Sequence, residues 1–368
     1  MSPTDSPPVR APLEEYEREA AALLDALTSG DQAAAWRFKW EHPRFRGKSV
    51  DDVKAATLDL ADAQVVVART HGFEDWPHLV AFTDALQHDP EVARFEAAVE
   101  AVISGDVATL RSMLRGDAEL VRARSARRHR ATLLHYVAAN GVENGRQKTP
   151  PNAVDVAKLL LEAGAEPDAL ADMYDAKCTT MSVLVSSSPP AEAGLQSALA
   201  ETLLDHGAAL EGPGSNWQSA LMTALTFGFV RTADALARRG ARVDNVAAAA
   251  GLGRLDDTAR LLPSFDGRSR QIALSLAAQH GHADVVGLLL DAGEDPNRYN
   301  PDGFHSHATP LHQAIVSGHE NVVRLLAERG ARLDIKDTIY QATPLGWAVY
   351  GGHAAIVDYL RARGAPEA

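Results

Sequence analysis

Apolar positions along the chain recur with the period of an α-helix. In the stretch from Thr309 to Asp334, TPLHQAIVSGHENVVRLLAERGARLD, leucine and valine repeat at spacings of three and four residues, which is the apolar stripe of a helix. The opening Thr-Pro pair suits a helix start, since threonine caps the helix and proline gives up no hydrogen bond there. Gly330 suits the left-handed residue that ends a helix. The pattern predicts two short helices joined by a turn.

The same pattern recurs through most of the chain. The next copy begins at Thr343, 34 residues after Thr309. In four copies the closing glycine follows the opening residue by 21 positions. With a degenerate first copy included, the sequence predicts about eight helix-turn-helix units, which begin at Glu96, Thr132, Thr179, Ser219, Asp244, Ile272, Thr309 and Thr343.

A period near 33 residues with T-P-L-H-x-A, then G-H-x-x-V-V-x-L-L, then G-A, resembles the ankyrin repeat. The resemblance implies an all-α solenoid of stacked helix pairs with β-hairpin fingers. The stretches HRATLLHYVAANGVENGRQKTPPNAVDVAKLLLEAGAE, ADMYDAKCTT and GFHSHATPLHQA also resemble a group of bacterial ankyrin-repeat proteins without an established biochemical role. We expect a disordered tail over residues 1–10, a helical module over 11–90 and the ankyrin array over 91–368.

The predicted module lacks the repeat but keeps helical patterns. In DWPHLVAFTDAL, Asp75 is placed to cap a helix that carries Pro77 in its first turn. The stretch DAQVVVARTHGFEDWPHLVAF is similar to a short helical module found ahead of ankyrin arrays in bacterial proteins. Because terminal repeats need polar caps, we expect the module to shield the first repeat, with Trp36, Trp40 and Trp76 in its core.

Composition narrows the possible partners. The chain has 368 residues, 46% of them hydrophobic, and a formal net charge of −13. Nucleic acid is disfavoured as a partner, because binding it needs a basic face. The start of the chain lacks the features of a signal peptide, and no apolar run reaches the roughly 18 residues of a membrane helix. We therefore expect a cytoplasmic protein that does not bind membranes, and a monomer because the array carries its own caps.

Five histidines recur with the repeat. His135 and His312 occupy the T-P-L-H position, and His282, His319 and His353 follow the glycine between two helices. A residue that recurs with the repeat serves the repeat. We therefore assign these side chains to hydrogen bonds within the array.

His305 and His307 lie outside the repeat pattern, in a finger about four residues longer than the others. Histidines at i and i+2 point to the same side of a strand, which is compatible with a shared metal. No third free ligand is close in sequence, because His312 is assigned to the repeat. We therefore expect these histidines to belong to a binding groove, with no metal and no cofactor.

Two insertions interrupt adjacent repeat units, at 143–153 and at 187–193. Insertions in a solenoid form loops, often on the binding face. The basic run VRARSARRHR precedes the first insertion, which itself carries Arg146 and Lys148. These groups are compatible with a positive mouth for a phosphate or carboxylate, although a charge run more often forms a solvated loop.

The single cysteine, Cys178, excludes an intrachain disulfide and a zinc site with two thiolates. A nucleophilic role would require His135 as its base. His135 is a repeat histidine, however, and a lone buried cysteine is usually inert. Since the common catalytic motifs are also absent, the sequence leaves catalysis open.

The leading hypothesis from the sequence is a non-catalytic scaffold that holds a protein or peptide in a concave groove. Hairpin tips and exposed positions of the first helices form that groove, and aromatic side chains there are favoured anchors. The alternative is an enzyme or small-molecule binder, with a pocket for a small polar or anionic ligand built from the long hairpins and the two insertions. The predicted groove residues are Tyr136, Asn140, Arg146, Lys148, Asp172, Tyr174, Trp217, Thr223, Phe227, His280, His305, His307, Gln313, Tyr340, Trp347 and Tyr350.

Overall fold

The computed structural model describes residues 11–211 and 219–367. The chain divides into two compact units, Met1–Asn216 (unit 1) and Trp217–Ala368 (unit 2). The predicted tail over 1–10 and the predicted groove residue Trp217 lie outside the described residues. In the described ranges, no helix is both long and apolar enough to cross a membrane.

Unit 1 begins with five helices. The predicted cap at Asp75 is present, since its carboxylate accepts a hydrogen bond of 3.0 Å from the backbone N–H of His78. The five helices enclose an apolar core around Tyr16, Phe38 and Phe73. They are α1 (Leu13–Thr28), α2 (Gln32–Glu41), α3 (Val50–Ala55), α4 (Leu60–Thr70) and α5 (Trp76–His88).

The tryptophan core predicted for this module is wrong for Trp36 and Trp40. Trp40 is 71% exposed and Trp36 is also exposed, whereas Trp76 is partly buried and packs against the apolar core. Phe38 occupies the buried face of α2, and the helical period turns Trp36 and Trp40 to the other side. There the Lys39 ammonium lies 4.5 Å from the centre of each of their rings.

As far as the structure describes it, the rest of unit 1 consists of helix pairs with one β-hairpin. Its elements are α6 (Pro90–Ser104), α7 (Val107–Gly116), α8 (Leu133–Val137), α9 (Ala153–Glu162), β1 (Ala171–Met173), β2 (Ala176–Cys178), α10 (Thr180–Leu184), α11 (Ser188–Glu192) and α12 (Gln196–Asp205). Helix α6 packs on α7, α8 on α9, and α10 on α12. Strands β1 and β2 pair antiparallel, with Ala171 opposite Cys178. The second predicted insertion, 187–193, contains α11.

Unit 2 is a regular stack of helix pairs. Its helices are α13 (Ala220–Thr226), α14 (Val230–Arg238), α15 (Val246–Gly251), α16 (Leu255–Leu261), α17 (Gly267–Gln279), α18 (Ala283–Asp291), α19 (Pro310–Val316), α20 (Glu320–Glu328), α21 (Pro344–Tyr350) and α22 (Ala354–Ala362). First helices pack on first helices and second helices on second helices, which gives two layers. The four alanines of α15 are buried, and their small size permits this close approach.

A glycine-histidine contact repeats between neighbouring pairs of unit 2. His282 Nε2 lies 3.0 Å from the Gly251 carbonyl oxygen, at the end of the preceding first helix. The ring needs space there, because a Cβ placed on Gly253 would lie 2.6 Å from His282 Nδ1. A Cβ on Gly281 would meet His319 at the same distance. Where the G-H pair occurs, the histidine therefore packs against the preceding helix pair, and the hydrogen bond of His282 agrees with the role predicted for it.

The fingers depart from the predicted β-hairpins. Within the described residues, β1 and β2 are the strands assigned, and the fingers of unit 2 are turns. Asp337 shows what replaces the strand ladder, because its carboxylate accepts hydrogen bonds from the backbone N–H groups of Ile339 at 2.9 Å and Ala342 at 3.0 Å. The structure is mostly helical, as predicted, while the count of eight ankyrin units stays a prediction.

Candidate functional site

Four buried charged side chains lie together in unit 1, and we call them the buried charge cluster: Glu96, Arg127, Glu143 and Arg146. Arg127 Nε lies 2.5 Å from Glu143 Oε1, and Arg146 Nη1 lies 2.6 Å from Glu96 Oε2. Arg146 Nη2 also donates to Glu100 Oε1 at 2.9 Å. Two guanidinium groups and two carboxylates thus neutralise one another away from water. Removing any one of them would leave a buried charge uncompensated.

His129 and Tyr136 complete the hydrogen bonding around Glu143. His129 Nδ1 accepts a hydrogen bond from the backbone N–H of Ala131 at 3.1 Å, so Nε2 carries the ring proton. His129 Nε2 donates it to Glu143 Oε1 at 3.0 Å, and the Tyr136 hydroxyl donates to the same oxygen at 3.3 Å. The carboxylate therefore has partners on several sides.

These contacts fix the protonation states near neutral pH. Burial alone would raise the pKa of Glu143, but the positive charge of Arg127 and the hydrogen bond from His129 hold it well below its usual value. Burial, together with the negative charge of Glu143, raises the pKa of Tyr136 far above its usual value. Glu143 is therefore an anion and Tyr136 a neutral hydroxyl, which suits a structural cluster better than proton transfer.

Arg127 also ties the cluster to the N-terminal helices. Its Nη1 donates to the His71 carbonyl oxygen at 2.7 Å, and its guanidinium lies 4.3 Å from the centre of the Phe82 ring. His71 Nε2 in turn lies 2.8 Å from Glu19 Oε2. The N-terminal helices are therefore joined to the helix pairs of unit 1 by buried polar contacts as well as by apolar packing.

A cleft of about 930 Å³ opens beside this cluster, and we call it the unit 1 cleft. Its walls come from α2, α4, the loop that carries His129, the first insertion and the β1–β2 hairpin. Glu143 and His129 form part of its lining. A cleft of this volume falls in the range that binds small molecules.

Charged side chains line the cleft, and two of its four cations are paired. Lys177 Nζ lies 2.5 Å from Asp172 Oδ1. Arg46 Nη2 lies 2.6 Å from Asp175 Oδ2. Both pairs are exposed to solvent, so they contribute little to stability, but they neutralise the two carboxylates of the hairpin.

Arg69 and Arg128 are the other two cations of the cleft. Neither forms an ion pair with a residue that the structure describes, and Arg69 Nε is buried there without a hydrogen-bond partner. Burial lowers the pKa of Arg69, and the positive charge of nearby Arg128 lowers it further, while Glu41 opposes both. The Arg69 guanidinium remains charged, because arginine does not lose its proton in proteins.

Two exposed aromatic side chains border the same cleft. Trp40 is 71% exposed and Tyr174 is 63% exposed. Tyr174 and Asp175 form the hairpin turn with φ of 55° and 58°, a conformation that strains non-glycine residues. The Tyr174 hydroxyl donates to Asn140 Oδ1, and Asn140 Nδ2 donates to Ser186 Oγ at 2.8 Å. The predicted groove residues Asn140 and Tyr174 are thus in contact, and their contact holds the hairpin in place.

Unit 2 exposes apolar side chains on one finger and at the ends of α19 and α21, the first helices of its last two helix pairs. Tyr350 is 93% exposed and Tyr340 is 73% exposed. Val316 and Val349 are exposed at the ends of α19 and α21, which pack on each other, and Ile339 is exposed beside Tyr340. We call these five residues the unit 2 apolar surface.

The structure places the exposed members of the predicted groove in both units. Phe227, Tyr340 and Tyr350 are exposed in unit 2. Asp172 and Tyr174 line the unit 1 cleft. Lys148 is exposed in unit 1, outside the lining of the cleft.

Four predicted positions on first helices are buried, which corrects the prediction that they line an exposed groove: Tyr136, Thr223, His280 and Gln313. First helices pack between neighbouring first helices, which buries these positions. His280 Nε2, for example, donates to the Leu225 carbonyl oxygen at 2.8 Å.

The predicted positive mouth is also corrected. Arg146 is buried in the charge cluster and faces carboxylates, so it is not available to an external anion. Arg127 of the basic run is buried with it, whereas its neighbour Arg128 is exposed and lines the cleft.

The long finger in unit 2 holds its histidines in packing contacts. His305 Nε2 donates to the Thr226 carbonyl oxygen at 2.9 Å, at the end of α13. The His307 ring lies 5.8 Å from that of Trp347, whose Nε1 donates to Asp337 Oδ2 at 3.0 Å. The described residues contain no group of three or more potential metal ligands. Groove binding by His305, His307 and Trp347 stays a prediction.

Cys178 and His135 do not form a nucleophile-base pair. Burial raises the pKa of the Cys178 thiol. His135 Nε2 lies 3.2 Å from the backbone oxygen of Cys178, and its Nδ1 lies 2.9 Å from the Thr132 hydroxyl. Both ring nitrogens of His135 therefore have structural partners, and neither is bonded to the thiol.

Comparison with known families identifies repeats within unit 2. The profile described as ankyrin repeats (3 copies) matches residues 245–337 and 274–366. These ranges contain helices α15 to α22. The chain therefore contains ankyrin repeats in this region, as the sequence resemblance predicted.

Similar curated proteins share short regions with the chain. It is 39% identical over 62 residues to ankyrin repeat-containing protein P1E11.10 of Schizosaccharomyces pombe, 17% of this chain and 28% of that protein. It is 38% identical over 77 residues to inversin of Danio rerio, 21% of this chain and 7% of that protein. It is 39% identical over 67 residues to inactive serine/threonine-protein kinase TEX14 of Mus musculus, 18% of this chain and 4% of that protein. The chain thus spans less than a third of each relative, and the likeness concerns a segment.

Sequence reasoning missed Arg69 and Trp40 as cleft residues and Glu96 as a buried charge. One signal was available for Glu96, because it falls on the apolar stripe of α6, between Phe95 and Ala98. A charged residue on such a stripe indicates a buried partner of opposite charge. Arg69 and Trp40 carry no comparable signal, since only folding brings them to the lining of the same cleft.

Proposed function

We propose that unit 2 is a non-catalytic interaction scaffold that binds a protein or peptide partner through its apolar surface. Ankyrin repeats are generally protein–protein interaction modules, and the chain contains them within 245–366. The observation that carries the proposal is Tyr350, which is 93% exposed at the end of α21. Together with Val316 and Val349 it offers a partner a large contact area at low entropy cost.

The charges near this surface define the chemistry of the partner. The Tyr299 hydroxyl donates to the Lys336 carbonyl oxygen at 2.6 Å, which brings two fingers together. Arg298 and Lys336 lie on these fingers, and neither forms an ion pair with a described residue. Complementary charge favours specific association. The proposed partner segment therefore combines apolar side chains with acidic ones.

A photo-crosslinking amino acid placed at Tyr350 tests this proposal in cells. We expect a defined protein adduct from position 350. The matched control is the same amino acid at Asp358, an exposed position on α22 in the other helix layer, which should yield no such adduct. Equal adducts from both positions, or none from position 350, would contradict the proposal.

Binding of a small polar or anionic ligand in unit 1 is the second candidate function, and the unit 1 cleft favours it. The first predicted insertion contributes Glu143, Asn144 and Gln147 to the lining. The residues of the second insertion, 187–193, are not part of it, so this cleft differs from the pocket predicted from the sequence.

We further propose that the chain acts as a monomer in the cytoplasm of a bacterium, without nucleic-acid or membrane partners. The net charge of −13 argues against a nucleic-acid partner. Sedimentation equilibrium tests the monomer, and a dimer at micromolar concentration would contradict it. We also propose that residues 11–90 form a helical capping module and that residues 91–368 form the ankyrin array.

A further inference from the structure

Arg128 in unit 1 is held in position by the residues on either side of it. Arg127 is anchored in the buried charge cluster, and His129 is bonded to Glu143. The backbone N–H of Arg128 also donates to the Gly72 carbonyl oxygen at 3.1 Å. The backbone of this exposed residue is therefore fixed by two buried neighbours, which presents its side chain to the cleft.

Arg69 supplies a second cation from a different element. It lies on α4, lines the cleft, and has a buried Nε without a hydrogen-bond partner among the described residues. The carboxylates of Asp172 and Asp175 are already paired with Lys177 and Arg46. An incoming anion would therefore meet Arg69 and Arg128 with little competition from these carboxylates.

We propose that the unit 1 cleft binds a small molecule that carries a phosphate or carboxylate group next to a flat apolar part. Arg69 and Arg128 hold the anionic group, since guanidinium groups match the geometry of oxyanions and form strong charge-assisted hydrogen bonds with them. Trp40 and Tyr174 contact the flat part, because their exposed rings border the same cleft. Glu41, a lining carboxylate outside both the hairpin and the buried charge cluster, disfavours a ligand with more negative charges.

The hairpin gives this site a fixed second wall. The backbone N–H of Asp172 donates to the His129 carbonyl oxygen at 2.7 Å, so the hairpin is attached to the loop that carries Arg128. The Tyr174 hydroxyl reaches Asn140 at the same time, which locks a strained turn. A cleft held in this way binds a ligand without a large ordering cost.

Titration calorimetry of the full chain at low salt tests the site, with phenyl phosphate, benzoate, inorganic phosphate and phenol as probes. We expect one equivalent of phenyl phosphate or benzoate to bind, and phenol to bind at least tenfold more weakly. The tighter of the two aromatic anions identifies the headgroup. Arg69→Gln and Arg128→Gln should each weaken the tighter probe at least tenfold, because each removes a charge-assisted contact.

Matched variants separate the parts of the site. Trp40→Ala should weaken phenyl phosphate but leave inorganic phosphate unchanged. Arg324→Gln, on α20 in unit 2, should leave every probe unchanged. Failure of both aromatic anions to bind at millimolar concentration would overturn the proposal. So would unchanged binding in both arginine variants, provided that thermal unfolding shows all variants folded. Neither result would affect the proposed partner site, which lies in unit 2.

Discussion

Units 1 and 2 both stack helix pairs, but different interactions fasten the pairs together. In unit 2, neutral histidines such as His282 bond to the ends of preceding helices, and small residues pack between layers. In unit 1, ionised groups such as Arg127 and Glu143 are buried together beside a cleft. The regular unit exposes an apolar surface, whereas the irregular unit encloses a charged cleft. The comparison teaches that departures from a repeat mark a change of interaction chemistry.

The largest expected effect lies in the cluster of unit 1. Glu143→Gln leaves Arg127 with a buried charge and should lower the free energy of unfolding by about 3–5 kcal/mol. Urea denaturation measures the change. The matched control is Glu320→Gln, which disrupts an exposed pair with Arg324 on α20 and should cost less than about 0.5 kcal/mol. Similar losses in both variants would mean that the buried charges do not distinguish unit 1.

Unit 2 should lose stability in mild acid because of its buried histidines. Burial lowers the pKa of His280 and of His312 to about 4 each, below the ordinary value of 6.5. Well above pH 6.5 both are neutral in the folded and unfolded states. As the pH falls towards 4, these histidines bind protons in the unfolded chain but stay neutral in the folded chain, so the free energy of unfolding falls. Each histidine should cost roughly 2 kcal/mol at pH 5.

Urea midpoints at pH 7 and pH 5 check this prediction. His280→Asn should reduce the loss between the two pH values. The control is Gln279→Ala, which removes the adjacent hydrogen bond to the Thr226 carbonyl oxygen without removing a titrating group. If both variants lose stability in parallel with the original chain, burial of His280 is not the cause.

The finger of Asp337 should be a smaller point of weakness in unit 2. Its carboxylate accepts hydrogen bonds from Ile339, Ala342 and the Trp347 ring, and an amide cannot satisfy all of these donors. Asp337→Asn should therefore cost about 1–3 kcal/mol, measured by thermal or urea unfolding. Asp334→Asn on the same finger is exposed and should change stability little, so an equal loss there would reject this role.

The smallest effect separates two glycines of unit 2. Gly240 and Gly281 both have a left-handed backbone, with φ of 99° and 79°. An added Cβ has open space at Gly240 but lies 2.6 Å from His319 Nδ1 at Gly281. Gly240→Ala should cost about 1 kcal/mol for the backbone alone. Gly281→Ala should cost at least about 1 kcal/mol more, because the added Cβ displaces the His319 ring. Equal losses of stability in the two variants would contradict the close contact between Gly281 and His319.

Much of unit 2 was predictable because its interactions are local and recur. A threonine cap, a closing glycine and a recurring histidine each carry their role in the sequence, and Thr343 and His282 fill the predicted positions. The family profile confirms ankyrin repeats over the same region. The exposure of first-helix residues was harder to predict from the sequence. Tyr350 and Gln313 were both predicted to be exposed, but only Tyr350 is, and Gln313 is buried.

Unit 1 was less predictable because its site depends on contacts between distant positions. Arg69 and Arg128 both line the cleft although they are 59 positions apart in the sequence. Composition could not show that Arg146 turns inwards while Arg128 stays exposed, since both belong to basic stretches of similar character. The exposed Trp40 was misassigned for a related reason, because apolar character alone does not tell a core residue from a surface one.

The central claim is that the two units bind different things: a protein on unit 2 and a small anion in unit 1. The most direct test is the affinity of the protein crosslinked at position 350, measured with the original chain, Tyr350→Ser and Arg128→Gln. The account predicts at least tenfold weaker binding for Tyr350→Ser and unchanged binding for Arg128→Gln. Weaker binding for Arg128→Gln with Tyr350→Ser unaffected would contradict it.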